Sequence, residues 1–170
     1  MPAARGVVLA VTMAVAVVLQ VVVFSRLSVS GVVPNLALLV VVAAALVRGS
    51  DFACVLGFLG GLAIDLAPPA DHIAGRWALA LVVVGFLAGR VRTDARTSAV
   101  GALVTVAACS FVGTSVFALS GMLLRDPSIA VAEALRVIGI SVLYDLLVTP
   151  FVLPLLLRLH RSLRPARVAY

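Results

Sequence analysis

Gly57-Phe58-Leu59-Gly60-Gly61-Leu62-Ala63-Ile64-Asp65 lies inside a run apolar enough to form a membrane helix. Gly57, Gly61 and Asp65 are four residues apart, so a helix places them on one face, and Ala53 extends that face backwards. Small residues let another helix approach closely, and a carboxylate near the edge of a bilayer needs a partner or water. A face of this kind is directed at protein and away from lipid.

The rest of the chain fits that setting. Hydrophobic residues make up 64% of its 170 residues, and the mean hydropathy is +1.25. Soluble domains are about half apolar. The reading is an all-α, polytopic membrane protein forming a single integral membrane domain over residues 1–170.

The formal net charge is +6, and all 13 basic residues are Arg. In a soluble protein this balance would point to nucleic acid. Here it marks cytoplasmic loops, and no basic stretch is interleaved with aromatics, so no nucleic-acid partner is expected. Cys54 and Cys109 fall within apolar helices and read as small core residues. His72 stands in a loop and His160 in a basic tail, with no second ligand at metal spacing. Arg5 precedes a long apolar run, as in a signal peptide. That run is longer than a usual signal core and no A-x-A site follows, so a retained first helix is expected.

Six apolar segments can be marked: Gly6–Phe24, Val32–Val47 with Pro34 in its first turn, a third from about Ser50 to Ala67, Ile73–Gly89, Ser98–Leu124, and a last helix with an apolar part from Val137 to Leu157. Ser50 or Asp51 can cap the third, and Pro68-Pro69 stops it. Trp77 suits an interface, and Gly85 and Gly89 form a GxxxG pair. Gly101, Thr105, Cys109, Gly113 and Gly121 make a small-residue stripe broken by Phe117. Asp126 and Pro127 are placed to start the last helix. Glu133 and Arg136 can pair on its surface, and Pro150 and Pro154 interrupt its hydrogen bonding. Several segments are short for a span, so five transmembrane helices is the alternative to a bundle of six.

With six spans and the N-terminus inside, Arg5, Arg48, Arg90, Arg92, Arg96, Arg158, Arg161, Arg164 and Arg167 face the cytoplasm. Arg26, Arg76, Arg125 and Arg136 face outward, balanced by Asp65, Asp71, Asp126 and Glu133. This bias places both termini in the cytoplasm.

Asp145 is a carboxylate well inside an apolar helix, where a charge costs at least about 2.5 kcal/mol. It is either a proton or substrate site or a buried polar contact that fixes packing. Asp65 either recognises a partner or ligand on the outer face or is an interfacial carboxylate beside the Pro68-Pro69 turn. No catalytic set emerges: there is no Gly-x-Ser-x-Gly, no P-loop, no paired Glu, and no Ser or Thr with a base nearby. No set for a cofactor or metal emerges either.

Pro34-Asn35-Leu36, the turn at Arg48-Gly49, Gly57-Phe58-x-x-Gly61-Leu62-x-x-Asp65, Gly75 with Ala78-Leu79, and Gly85-Phe86-x-x-Gly89-Arg90 follow one another in an order that resembles the MreD family of rod-shape-determining membrane proteins. The resemblance is strongest over residues 33–92. Elsewhere it rests on helix length, order and a last helix with prolines and a basic tail. Asp145 departs from the pattern, because an uncharged polar residue is the family's usual choice there. The loop Ala70–Gly75 is also looser than the family's form.

The resemblance implies an inner-membrane scaffold of the cell-elongation machinery for peptidoglycan. It would bind a single-span MreC-like protein and connect through it to RodA, a class B penicillin-binding protein and MreB. Gly57, Phe58, Gly61, Asp65, Pro34, Asn35, Gly85, Gly89, Asp145 and Pro150 are then the candidate packing or partner residues. The basic loop Arg90–Arg96 and the tail Arg158–Arg167 would meet anionic membrane lipids or cytoplasmic partners. The family is similar in fold to substrate-binding subunits of energy-coupling-factor vitamin transporters. Such a subunit is the alternative function.

Overall fold

The computed structural model describes residues 2–68, 73–91, 98–124 and 131–163. The described residues are helical, in the order α1 (Pro2–Val18), α2 (Leu36–Arg48), α3 (Ser50–Asp65), α4 (Arg76–Arg90), α5 (Ala99–Leu123) and α6 (Val131–Ser162). There is no strand among them, only an isolated bridge between Val29 and Val32. The capping roles expected of Asp126 and Pro127 lie outside the described residues. So do Pro69, Asp71, His72, Arg92, Arg96, Arg125, Arg164 and Arg167.

Three helices are long and apolar enough to cross a membrane, as a membrane protein requires. They are α5, α6, and α1 with its continuation through a π turn at Leu19–Val23 and a 3-10 turn at Phe24–Leu27. These carry most of the outward apolar surface, with Val11, Val15, Phe111, Leu119, Leu143 and Phe151 all exposed.

α2 has the opposite character. Every residue from Leu36 to Val47 is buried, and the helix packs against α1, α3, α4, α5 and α6. A helix that is apolar all round can be stable only with neighbours on every side. At 13 residues it is about 20 Å long, short of the ~30 Å of a bilayer core.

The start of α2 corrects the expected Val32–Val47 helix. Residues 28–35 are not helical. Ser30 and Gly31 have positive φ, 53° and 77°, and fold a tight turn closed by the Val29–Val32 pair. The chain then passes inward through buried Val32, Pro34 and Asn35. Non-helical backbone at membrane depth is tolerated only where protein covers it.

Other boundaries move by one to four residues. Gly49, at φ 101°, precedes α3, so Ser50 is its first residue and Ser50 and Asp51 bond each other. Ser98 caps α5 by accepting from the Gly101 N–H at 2.9 Å. α6 continues as one helix through Pro150 and Pro154. Arg136, expected to pair with Glu133, donates instead to Ser30 across the bundle at 2.9 Å. His160, expected in an open tail, is buried in the last turn of α6.

Consecutive helices alternate in direction. Gly57 faces Leu81 while Gly89 faces Ser50, so α3 and α4 are antiparallel. Arg76 reaches Phe117 while Val84 meets Gly113, so α4 and α5 are too. α2 and α6 run together, because Asn35 meets Asp145 and Arg48 donates to the carbonyl of Leu163. α1 therefore begins, and α6 ends, where Arg48 and Arg90 lie.

Candidate functional site

The two GxxxG faces meet each other. A Cβ on Gly57 would lie 2.5 Å from the Leu81 carbonyl oxygen, and one on Gly61 would lie 2.4 Å from the Ala78 Cα. In return, Gly85 presses on the Ala53 carbonyl and Gly89 on Ser50, where a Cβ would come within 2.8 and 2.5 Å. These are backbone-to-backbone contacts with no room for a side chain, and they make α3–α4 the most extensive helix pair in the fold. The small face of α3 is thus used inside the chain. Phe58, one residue on and so about 100° around the helix, is half exposed on the outward side with Val55 and Leu59.

Asp65 closes the far end of this seam. Its carboxylate accepts from the backbone N–H groups of Gly75 at 2.8 Å, Trp77 at 3.1 Å and Ala78 at 3.1 Å. The first N–H groups of a helix have no partner within it, and they attract negative charge. Asp65 therefore caps α4 from the end of α3, across the intervening loop. Arg76, buried in the same turn, lies 4.0 Å over the Phe117 ring and donates to the Phe117 carbonyl through Nε and Nη2. Trp77 stacks on that ring with centroids 4.5 Å apart. Phe117, the residue that interrupts the small stripe of α5, thus joins α5 to the start of α4.

The third junction is at the start of α2. The Asp145 carboxylate accepts from the Asn35 N–H at 2.6 Å and from the Ser110 hydroxyl at 2.6 Å. The Asn35 side chain accepts from the Leu38 N–H at 2.9 Å, and Gln20 Oε1 accepts from the Ala37 N–H at 3.4 Å. Thr149 donates to the Asp145 carbonyl at 2.5 Å. Asp145, Ser110, Asn35, Gln20 and Thr149 are all buried. The turn that follows α1 and helix α6 thus each bring a polar side chain to the start of α2, and Ser110 of α5 holds the Asp145 carboxylate that reaches it. Asp145 is about 21 Å along α6 by helical rise, near its middle. A carboxylate in this position is a packing contact and a helix cap at once.

The structure brings Asn35 and Asp145 together, and it joins Gly57, Gly61, Gly85, Gly89 and Asp65 along one seam. Pro34 is buried just before the α2 cap. Phe58 and Pro150 stand apart on outward surface. Sequence reasoning missed Gln20, Ser110, Arg76 and Phe117 as participants. One signal was available: the chain contains a single Gln and a single Asn, Gln20 and Asn35, and both serve the α2 N-terminus.

The basic end is distinct from these three junctions. Arg48 lies 4.5 Å over the Phe52 ring, and Arg90 4.5 Å over the Phe86 ring. Buried His160 holds Nδ1 2.9 Å from the Leu156 carbonyl. No cluster of three or more His, Cys, Asp or Glu able to hold a metal occurs among the described residues. Comparison of the chain with protein-family models, with curated proteins and with solved structures found no match.

Proposed function

We propose that this chain is a non-enzymatic scaffold of the bacterial cytoplasmic membrane that supports peptidoglycan synthesis during cell elongation, in the manner of the MreD family. It crosses the membrane six times with both termini in the cytoplasm. Its direct partner is a single-span MreC-like protein, through which it connects to RodA, a class B penicillin-binding protein and MreB.

One observation carries this reading. The residues by which the sequence resembles MreD are the joints of the bundle: Gly57 and Gly61 against α4, Gly85 and Gly89 against α3, Asp65 on the start of α4, and Asn35 on the start of α2. A motif spent on holding helices at fixed spacing suits a protein whose product is its own shape. The alternating helix directions, which return the chain to its Arg-rich end, are in keeping with an even number of crossings. A partner helix then has to use an outward face, and the one presented by Val55, Phe58 and Leu59 is apolar and open.

The test is to crosslink the tagged chain in native membranes, purify it and identify what comes with it. Recovery of a single-span MreC-like protein with wall-synthesis enzymes supports the scaffold. Recovery of paired ATPases with a coupling membrane subunit overturns it and makes the chain a vitamin-type substrate-binding subunit of an energy-coupling-factor transporter.

A further inference from the structure

Between α5 and α6, at the basic end of the bundle, a groove of about 420 Å³ runs along the helices. Ala102 and Leu103 form one wall, Pro150, Leu153 and Leu157 the other, and Arg161 stands at the rim. We propose that this groove binds one acyl chain of an anionic phospholipid, with the Arg161 guanidinium holding the phosphate.

Size argues against a protein occupant. A helix roughly 10 Å across fills about this volume in a single turn, so a partner helix cannot seat along the groove, while a hydrocarbon chain can. Apart from Ser98, Thr149 and the rim Arg161 the walls are apolar, which suits a hydrocarbon chain with its charged headgroup at the basic end. Charge selects the headgroup. Arg161 presents a planar fork of donors that matches phosphate, and Arg48, Arg90 and Arg158 lie at the same end, opposed there only by Asp51 among the described residues.

The arrangement occurs twice. On the other side of α5, a groove of about 470 Å³ is walled by Leu87, Val104, Ala108 and Val112, with Arg90 lining it at the basic end. Small residues on both flanks of α5, Ala102 on one and Ala108 on the other, leave the space. An apolar channel ending at an arginine on both sides of one helix fits an anionic lipid better than a single fortuitous gap would. The site requires that the chain lie in a bilayer, and it is independent of the scaffold reading.

The experiment uses the full chain in nanodiscs with a phosphatidylglycerol probe that carries a photoreactive group in one acyl chain, and maps crosslinked peptides by mass spectrometry. Crosslinks are expected at Ala102–Leu103 and Leu153–Leu157, competed by unlabelled phosphatidylglycerol and far less by phosphatidylcholine. Arg161→Gln, a change at an exposed position that leaves the core intact, is expected to weaken that competition by about fivefold, the effect of one cation beside an anionic surface. Ala102→Phe fills the groove and is expected to abolish the crosslinks there. Labelling spread evenly over outward residues such as Phe111 and Phe151, or equal competition by the two lipids in wild type and Arg161→Gln, would overturn the site.

Discussion

The carboxylate of Asp145 accepts the backbone N–H of Asn35 at 2.6 Å, although the two residues are 110 positions apart. A short, wholly buried helix has an N-terminus that water cannot reach, and its first N–H groups must be satisfied by side chains. Asp145 reaches that point from α6 and binds Ser110 of α5 with its other oxygen. Asp145→Ala leaves the Asn35 N–H and the Ser110 hydroxyl unpaired in the interior, each costing about 1–3 kcal/mol. Asp145→Asn keeps an acceptor for Asn35 and should retain most of the stability. Thermal unfolding of the purified variants in detergent checks the order, Asn above Ala. Equal melting temperatures would contradict a capping role, and unchanged cell function in Asp145→Asn would remove a proton-carrying role.

The glycines of the bundle differ in what surrounds them, and this gives a graded series. Gly61→Leu forces a side chain into the α4 backbone and should exceed the about 1–3 kcal/mol usual for overpacking, with loss of the folded monomer. Gly60→Ala meets only the end of the Met13 side chain and should be tolerated. Gly139→Ala, with nothing within 4 Å, should stabilise α6 by about 0.5–1 kcal/mol. Size-exclusion profiles and melting temperatures in detergent distinguish the three.

Asp65 holds three backbone N–H groups at the start of α4. Asp65→Ala should cost about 1–2 kcal/mol as a lost helix cap. Hydrogen exchange should quicken at Gly75, Trp77 and Ala78 and change little in α6. Acceleration spread uniformly over the protein would mean that Asp65 acts on the whole fold and not on this helix end.

Trp77 is the only tryptophan of the chain and stacks on Phe117. Its fluorescence therefore reports one corner of the bundle. Phe117→Leu removes the ring shared by Trp77 and Arg76, a pair worth about 0.5–1.5 kcal/mol for the aromatic contact. A shift in the emission maximum is expected, with a modest drop in melting temperature. An unchanged spectrum would place Trp77 outside the stack in solution.

Much of this was legible from residue order. The spacing of Gly57, Gly61, Gly85 and Gly89 marked two close-packing faces because a helix repeats every 3.6 residues, and the stripe on α5 marked an inward face in the same way. Periodicity says which residues share a face but not what that face meets. The spacing on α3 therefore fits either internal packing or a partner, and the fold places that face against α4 of the same chain. Phe58 stands beside Gly57 in the motif that resembles MreD, while the helix turns its side chain outward.

The sequence by itself determined a mostly apolar helical chain, the approximate segments, the basic end and the small-residue faces, since these follow from hydropathy, charge and helical repeat. Only the tertiary structure decided where α2 begins, what Asp65 and Asp145 do, and how Gln20, Ser110 and Phe117 take part. The physical reason is the same in each case. A buried helix end is satisfied by whichever polar side chain the packing brings to it, and that side chain is set by the spatial arrangement of helices distant in sequence.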